Sequence, residues 1–218
     1  MLILTAGQFG EAVARRLQFD HNPNLPELSV APLCQAREEL AYLIPSHNFI
    51  AVVAWRPHVA LLRWLDEQCE QAGSHWMFVE IDGQTMVNGP LFAQGSGRGC
   101  YHCFVARGDA YLRAGERTRA LRQAYDKDCT LGPVGFTGPM VEIAAAGVRR
   151  AQHVLNLKAC EEYGRFRRVD VLTGTIMESA LVPRHDCPRC RPQGEDYDPT
   201  MRYQADMVPL LERLLEGA

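Results

Sequence analysis

Two Cys-x-x-Cys pairs, Cys100–Cys103 and Cys187–Cys190, constrain the fold of this chain more than any other feature of its sequence. Gly99 precedes the first pair and a proline lies inside the second, so both pairs have the composition of tight turns whose backbone N–H groups point at sulfur. Four thiolates in two such pairs are the usual ligands of a closed, tetrahedral zinc site with no open position for water. The sequence therefore predicts a structural zinc ion that joins the middle of the chain to its C-terminal part.

Two other interpretations of the cysteine pairs are unrelated surface thiols and a redox-active Cys-x-x-Cys. Zinc is favoured over both because two pairs agree. The chain has eight cysteines and no export signal, which indicates a reducing cytosol where metal binding explains paired cysteines better than disulfides do. We expect the other four cysteines, Cys34, Cys69, Cys129 and Cys160, to be small buried hydrophobic residues.

Length and composition predict one soluble α/β domain of 218 residues. We divide it into a Rossmann-like half (1–99), a zinc-containing half (100–190), and a polar tail with a short C-terminal helix (191–218). The formal charge of −3 does not support binding to nucleic acid or to an anionic membrane. No segment approaches the ~20 apolar residues that span a bilayer. Together with the absence of a signal peptide, this predicts a cytoplasmic protein with neither nucleic-acid nor membrane partners.

Strands alternate with helices along the first half of the sequence, which predicts a layered, mostly parallel α/β sheet of Rossmann-like type. Leu2–Thr5 is predicted as the first strand and Glu11–Gln18 as the first helix. The continuous apolar run Phe49–Ala54 is typical of a central strand buried on both faces. Arg107–Tyr125 is predicted as one charged helix, and Thr173-Gly174 as the turn of an antiparallel hairpin.

The turn after the first strand resembles a degenerate nucleotide-binding loop. A Gly-x-Gly-x-x-Gly loop lets phosphate approach the backbone and the helix N-terminus. Here its three positions are Thr5, Gly7 and Gly10. The second strand is predicted over Leu28–Ala31, and the stretch at its end, Val30–Leu33, lacks the acidic residue that would bind ribose. Helix–strand packing alone accounts for both glycines, so Gly7 and Gly10 are only weak candidates for cofactor binding.

The order of short motifs resembles a known superfamily. Gly89-Pro90-Leu91 precedes the first cysteine pair, and Gly132-Pro133-Val134, followed by a small-residue helix to Leu155, lies between the two pairs. Phe49–Trp55 and the helix that follows it match the strand and helix after the family's nucleotide pocket. Over residues 2–190 the chain therefore resembles the ThiF-type, ubiquitin-activating-enzyme-like superfamily.

The resemblance implies an ATP site whose ligands are missing here. Adenylating members have the full glycine loop, a ribose-binding acid, an Arg and a Lys on the phosphates, and an Asp for magnesium. That Asp would fall near Ala54–Pro57, where no acid exists, and nothing fixes Arg15 or Arg16 to a phosphate. Without carboxylates, magnesium and ATP have no dedicated ligands. We therefore expect a scaffold that retained zinc and lost adenylation.

Within the superfamily, the chain looks most like the ThiF-like partner, or C protein, of azole-forming cyclodehydratases. Cys100-x-x-Cys103 followed by Arg107, and the ending Pro183–Cys190, are typical of those proteins. The resemblance implies that a separate YcaO-type subunit binds ATP and forms azolines on a ribosomal precursor peptide. The ThiF-like subunit would engage the precursor and activate its partner, as a homodimer or heteromer, and we assign it no catalytic residue.

Many such proteins carry a winged-helix peptide clamp ahead of the ThiF-like part, whereas this sequence begins at the first Rossmann-like strand. We therefore expect another polypeptide, or a different surface, to bind the leader. The Arg-bearing segment Arg107–Arg122 is a solvated helix face in the simplest interpretation. The alternative is a surface that binds an acidic leader peptide or a partner subunit.

Two other functions stay open at this point. The first is an adenylating enzyme that activates a C-terminal carboxylate with ATP, using Thr5–Gly10 as its loop and Cys129 as a transfer thiol. Cys129 follows Asp128, however, so its surroundings are not electropositive and nothing lowers its pKa. The second is a zinc-dependent interaction module. It explains the cysteine pairs but not the ordered α/β elements before them.

Overall fold

The structure of the protein, a computed structural model, describes residues 1–19, 27–93, 96–110, 115–128, 130–131, 135–185, 187–190 and 208. Some sequence predictions lie outside these residues. They are the transfer-thiol hypothesis for Cys129, the Gly132-Pro133-Val134 turn, the polar tail from Gly194 to Pro199, and all of the helix predicted over Met207–Leu215 except Val208.

Strands and helices alternate through the first half of the chain, as the sequence predicts. The elements are β1 (Leu2–Ala6), α1 (Gly7–Phe19), β2 (Ser29–Pro32), α2 (Arg37–Leu43), β3 (Phe49–Ala54), α3 (Val59–Ala72), β4 (His75–Asp82), β5 (Thr85–Phe92), α4 (Tyr101–Ala110), α5 (Gly115–Lys127), α6 (Gly138–Leu157), β6 (Arg165–Asp170) and β7 (Ile176–Ala180). Single 3₁₀ turns span Ile44–Ser46 and Cys160–Glu162. None of the helices in the described ranges has both the length and the apolar character needed to cross a membrane.

The strands form one sheet with the order β2-β1-β3-β4-β5-β6-β7. The first four strands pair in parallel, and β5, β6 and β7 are added by antiparallel pairing. Two reversals bring β6 back to the direction of β4, so all strands except β5 and β7 run the same way. This confirms the predicted Rossmann-like, mostly parallel α/β sheet.

The sheet separates two hydrophobic cores. Alternate residues of a strand point to opposite faces, so a strand covered on both faces must be apolar throughout. In β3, Ile50, Val52 and Ala54 belong to the core beneath α3 and α4. Phe49, Ala51 and Val53 belong to the core beneath α1 and α6. The continuous apolar run seen in the sequence is thus the consequence of helices on both sides.

The prediction of one helix over Arg107–Tyr125 is wrong, because the structure has two helices there, α4 and α5. α4 begins at Tyr101, directly after Cys100, so the first cysteine pair lies at its N-terminus. Likewise, α1 begins at Gly7 and not at Glu11. The observed start of α4 therefore fixes the first cysteine pair at the N-terminus of a helix.

Contacts between distant segments position α5. Arg122 pairs with Asp109 of α4 at 2.7 Å. Both carboxylate oxygens of Asp126 accept a hydrogen bond from the backbone N–H of Ala60, at 3.0 and 3.1 Å. An acidic group at a helix N-terminus satisfies N–H groups that have no partner within the helix. α3, α4 and α5 are therefore tied together on one face of the sheet.

Gly10 marks the closest approach of α1 to the sheet. A Cβ at this position would lie 2.5 Å from the carbonyl oxygen of Val53 and 3.1 Å from the Cβ of Thr5. Real Cβ atoms essentially never approach backbone oxygen so closely. Helix–strand packing therefore explains Gly10 without any ligand.

We expect Gly10→Ala to lower the free energy of unfolding by about 1–3 kcal/mol, because the methyl group overpacks the contact between α1 and β3. Urea unfolding followed by circular dichroism measures the change. The control is Gly108→Ala in α4, where a Cβ would meet no atom within 4 Å. Alanine in that helix should stabilise the protein by about 0.5–1 kcal/mol. A Gly10→Ala variant as stable as the control would contradict the packing argument.

Candidate functional site

The four sulfur atoms predicted as metal ligands come together. The Sγ atoms of Cys100, Cys103, Cys187 and Cys190 all lie within 4.8 Å of one another. Cys100 is 4.0 Å from Cys103 and 3.7 Å from Cys187, and Cys103 is 3.6 Å from Cys190. A tetrahedral zinc ion with Zn–S bonds of 2.3 Å places its sulfurs about 3.8 Å apart. The cluster therefore has the spacing of a tetrahedral metal site, and all four residues are free thiols.

One backbone N–H group points at the cluster and favours the thiolate form of Cys103. The N–H of Arg184 donates to the Sγ of Cys103 at 3.3 Å, as expected of a metal-binding turn. Hydrogen bonds from the Cys100 and Cys190 thiols, and then that N–H, lower the pKa of Cys103. Gly99 has a φ of +29°, and a Cβ there would lie 2.9 Å from the side chain of Leu181. The segments that precede the two cysteine pairs thus pack tightly against each other at Gly99 and Leu181.

A buried carboxylate, Asp66 of α3, connects the sulfur cluster to the sheet. Asp66 is 4% exposed. Its Oδ1 accepts a hydrogen bond from the indole N–H of Trp76 at 2.9 Å. Its Oδ2 accepts one from the backbone N–H of Tyr101 at 3.2 Å and pairs with Arg189 at 2.6 Å. Arg189 lies between the cysteines of the second pair. The side chain of Asp66 therefore joins α3, β4, the start of α4 and the segment that carries Cys187 and Cys190.

Arg189 adds two further contacts to α3. It donates to the backbone carbonyl of Asp66 at 2.6 Å and pairs with Glu70 at 2.8 Å. Burial raises the pKa of Asp66 to about 6, and the charge of Arg189 opposes this rise. At neutral pH the carboxyl is ionised and paired. The sequence offered one signal for this residue, an acid on the apolar face of a helix beside Leu62, Leu65 and Cys69.

A cluster of three aromatic rings packs at the carboxyl ends of β1 and β3. The strand order reverses between these two strands, which is where open α/β sheets bind ligands. Trp55 follows β3, and its rings lie 5.8 Å from Phe9 and 5.9 Å from Phe136. Phe9 and Phe136 are 5.7 Å apart. We call Phe9, Trp55 and Phe136 the aromatic cluster.

The aromatic cluster lies directly against the glycine turn. The backbone N–H of Trp55 donates to the carbonyl of Ala6 at 3.3 Å, and a Cβ on Gly7 would lie 3.5 Å from the Cβ of Trp55. The next residue, Arg56, places its guanidinium over the Trp55 ring, 5.1 Å from the centroid. The side chain of Trp55 therefore packs against the turn at Gly7.

The other cysteines that the structure describes do not share one environment, so their prediction as buried hydrophobic residues needs correction; Cys129 lies outside the described residues. Cys69 is buried in α3, as expected, and burial raises the pKa of its thiol. Cys160 is exposed, because it lies in a surface turn after α6. Cys34 is also exposed, in the turn after β2, and takes part in a disulfide.

Comparisons with solved structures match the fold to a heterocyclase and to microcin biosynthetic proteins. The heterocyclase TruD is 17% identical with a TM-score of 0.58, covering 88% of this chain and 27% of that chain. The E. coli microcin synthetase McbBCD complex is 11% identical with a TM-score of 0.61, covering 85% and 66%. E. coli MccB is 16% identical with a TM-score of 0.60, covering 90% and 66%. This chain has their fold.

The resemblance predicted from the sequence is therefore confirmed for the fold. The chain spans about a quarter of the heterocyclase chains that it matches, one of which was solved with substrate and cofactor. It spans just under two thirds of MccB and of the matched microcin synthetase chain. No family model matches the sequence. No curated protein matches it either.

We expect Asp66→Asn to lower the free energy of unfolding by about 2–4 kcal/mol, because the amide NH2 cannot accept the hydrogen bonds that the carboxylate receives from Trp76, Tyr101 and Arg189. Urea unfolding measures the loss. Glu178→Gln is the control, since its ion pairs with Arg165 and Arg167 are exposed and should contribute at most about 1 kcal/mol. Equal losses of unfolding free energy in the two variants would show that Asp66 does not hold the segment with Cys187 and Cys190 to α3.

Proposed function

We propose that this chain is a zinc-binding, non-adenylating ThiF-like subunit of a heterocyclase. In this proposal a separate YcaO-type subunit binds ATP and forms azolines on a ribosomal precursor peptide. The observation that carries the proposal is the aromatic cluster at the carboxyl ends of β1 and β3, in a chain that shares the fold of a heterocyclase and of a microcin synthetase component.

Zinc is the metal that best suits the four-cysteine cluster. The sulfur spacing and the N–H···S hydrogen bond from Arg184 support it. Four thiolates complete the coordination shell, so the ion has no position for water and takes no part in chemistry. Its role is to cross-link the start of α4 to the arm that carries Cys187 and Cys190.

The loss of adenylation has two supports. Phosphate binding needs free backbone N–H groups at the helix N-terminus, and Trp55 packs against that turn. Magnesium needs oxygen ligands, and the segment from Ala54 to Pro57 contains no acid. The ATP-dependent step therefore belongs to the partner subunit, and we assign this chain no catalytic residue.

The precursor peptide and the YcaO-type subunit are the proposed partners, in a heteromer or with this chain as a homodimer. The Asp66 contacts support treating residues 1–99 and 100–190 as one domain, since they join the two parts through buried atoms. Residues 191–218 complete the domain in this proposal. A separate leader-binding protein is the proposed source of leader recognition.

We expect isothermal titration of ATP–Mg²⁺ into purified, zinc-quantified protein to show no binding, because the aromatic cluster excludes the phosphates. Mg²⁺ alone is the blank titration. The next measurement is azoline formation, followed by mass spectrometry as loss of water from the precursor, with and without this chain beside a YcaO-type subunit. We expect the chain to increase the rate without binding ATP itself.

Micromolar ATP binding would overturn this proposal. It would place first the alternative of an enzyme that adenylates a C-terminal carboxylate. A chain that binds no ATP and also fails to stimulate a YcaO-type subunit would favour the zinc-dependent interaction module.

We expect Cys190→Ser to give insoluble or partly unfolded protein that has lost its metal, because a structural zinc contributes ~10 kcal/mol or more to folding. Elemental analysis and circular dichroism measure metal content and folding, and the unmodified chain should hold about one zinc ion. Cys160→Ser is the matched control, because its thiol is exposed and outside the cluster. Normal melting and full zinc content in Cys190→Ser would contradict a structural metal.

A further inference from the structure

The strand β7 forms an open edge of the sheet. It lies at the end of the strand order and, among the described residues, pairs only with β6. All five of its residues are exposed, and Ile176 and Met177 expose 59% and 58% of their surface. These two neighbouring residues point to opposite faces, so the strand is apolar on both. An exposed edge strand offers a row of backbone N–H and C=O groups to which another chain can pair.

The features that usually protect an edge strand are missing from β7. The opposite edge, β2, has only four residues and includes Pro32, which has no N–H to donate. β7 contains no proline, and its single charged residue is Glu178. That carboxylate pairs with Arg165 and Arg167 of β6, at 3.2 and 2.9 Å, so the sheet itself neutralises the charge. The backbone of β7 is therefore open to a partner strand.

The hydrogen bonds between β6 and β7 show which backbone groups face outward. The N–H of Asp170 donates to the carbonyl of Thr175 at 2.9 Å, and the N–H of Leu181 donates to the carbonyl of Gly164 at 2.8 Å. Along an antiparallel strand, successive residues direct their N–H and C=O groups alternately to one side and to the other. The odd-numbered residues of β7 therefore bond to β6. The even-numbered residues, which direct both groups to the open side, are Ile176, Glu178 and Ala180.

A cavity on each face of the sheet extends to this edge. Ile176 and Glu178 line a cavity of about 280 Å³ beneath α6. Met177 and Ser179 line a cavity of about 650 Å³ beneath α4 and α5. A strand added beside β7 would direct alternate side chains to these two faces. Strand addition of this kind takes its affinity from backbone hydrogen bonds and its specificity from pockets for alternate side chains.

The smaller cavity suits an apolar side chain. Its charged lining residues all pair with one another, because Arg150 pairs with Glu162, and Glu178 pairs with Arg165 and Arg167. An ion that entered the cavity would therefore meet no unpaired counter-charge. The rest of the lining is largely aliphatic and includes Leu91, Ile143, Val154, Val169 and Ile176. An aliphatic side chain is stabilised there by leaving water, and it needs no polar partner.

We propose that β7 binds an extended peptide as an eighth strand of the sheet, with an aliphatic side chain of the peptide in the cavity beneath α6. The backbone of Ile176, Glu178 and Ala180 supplies three donors and three acceptors for this pairing. A second copy of β7 fits less well, because the antiparallel register that uses all three residues places two Glu178 carboxylates directly opposite each other. That the peptide is the precursor rests on the proposed function, whereas strand addition rests on the edge and the cavity alone.

The test is hydrogen exchange of the zinc-loaded full chain, followed by NMR, with and without a synthetic peptide of seven alternating Thr and Val residues. The peptide is acetylated and amidated so that its ends carry no charge. We expect exchange of the backbone N–H groups of Ile176, Glu178 and Ala180 to slow by about tenfold or more at saturation, because each becomes hydrogen-bonded. The N–H groups of Met177 and Ser179 are internal controls, since they already bond to β6.

Two N-methylated forms of the peptide test the backbone pairing. Methyl groups on the Val nitrogens remove the N–H groups of one edge of the peptide, and methyl groups on the Thr nitrogens remove those of the other edge. We expect one form to bind about tenfold more weakly than the unmodified peptide and the other to bind within about threefold, because only one edge meets β7. Replacing Val by Ala in the peptide should weaken binding about tenfold, since two methyl groups leave the cavity.

Two substitutions at Ala180 test the edge from the side of the protein. Ala180→Pro should weaken peptide binding about tenfold, because it removes an outward N–H and places the proline ring against the incoming strand. The melting temperature should change little, since no hydrogen bond to β6 is lost. Ala180→Ser is the matched control, and we expect it to keep the affinity within about threefold because it retains the N–H.

Several results would overturn the inference. They are unchanged exchange at Ile176, Glu178 and Ala180, equal binding of the two methylated peptides, and unchanged affinity in Ala180→Pro. Slow exchange of the same three N–H groups before peptide is added would also overturn it. In that case the edge is already covered, by a second copy if the protection falls on dilution and by another segment of this chain if it does not.

This inference and the proposed function fail separately. The exchange experiment needs neither precursor nor YcaO-type subunit, so its failure leaves the scaffold proposal standing. Failure to stimulate a YcaO-type subunit would leave the strand-addition site standing.

Discussion

The carboxylate of Asp66 is the point on which the arrangement of this molecule depends. A carboxylate removed from water must be surrounded by donors, and here they come from three separate segments of the chain. They are the indole of Trp76, the backbone of Tyr101 and the guanidinium of Arg189. Tyr101 follows Cys100 and Arg189 precedes Cys190, so the same contacts that satisfy the carboxylate bring the two cysteine pairs together.

This arrangement gives the two halves of the sheet different uses. At the reversal between β1 and β3, where an open sheet ordinarily holds a ligand, the aromatic cluster packs and its Trp55 side chain lies against Gly7. Over the antiparallel half, Glu80 and Arg122 line a cavity of about 650 Å³, and each has a buried polar atom that lacks a partner among the described residues. In our proposal ATP therefore binds to the partner subunit, and this chain contributes recognition of the peptide.

Local sequence patterns predicted the parts of the structure that depend on local chemistry. Phe49–Ala54 was predicted with its observed bounds because a strand covered on both faces needs a continuous apolar run. The division of Arg107–Tyr125 into α4 and α5 was missed. The position of α5 depends on the contacts of Asp126 with Ala60 and of Arg122 with α4, which join segments far apart in the chain.

The order of strands and helices in the first half of the chain, the identity of the four clustered cysteines and the lack of acids from Ala54 to Pro57 all follow from the sequence alone, because each depends on residue type and spacing. The partners of Asp66, the rings packed against Gly7 and the cavity around Glu80 were decided only by the tertiary structure. Each of these depends on which distant side chains meet. An acid within an apolar segment such as Trp76–Ile81 can be recognised in the sequence, but whether it finds a donor depends on the packing of elements far from it.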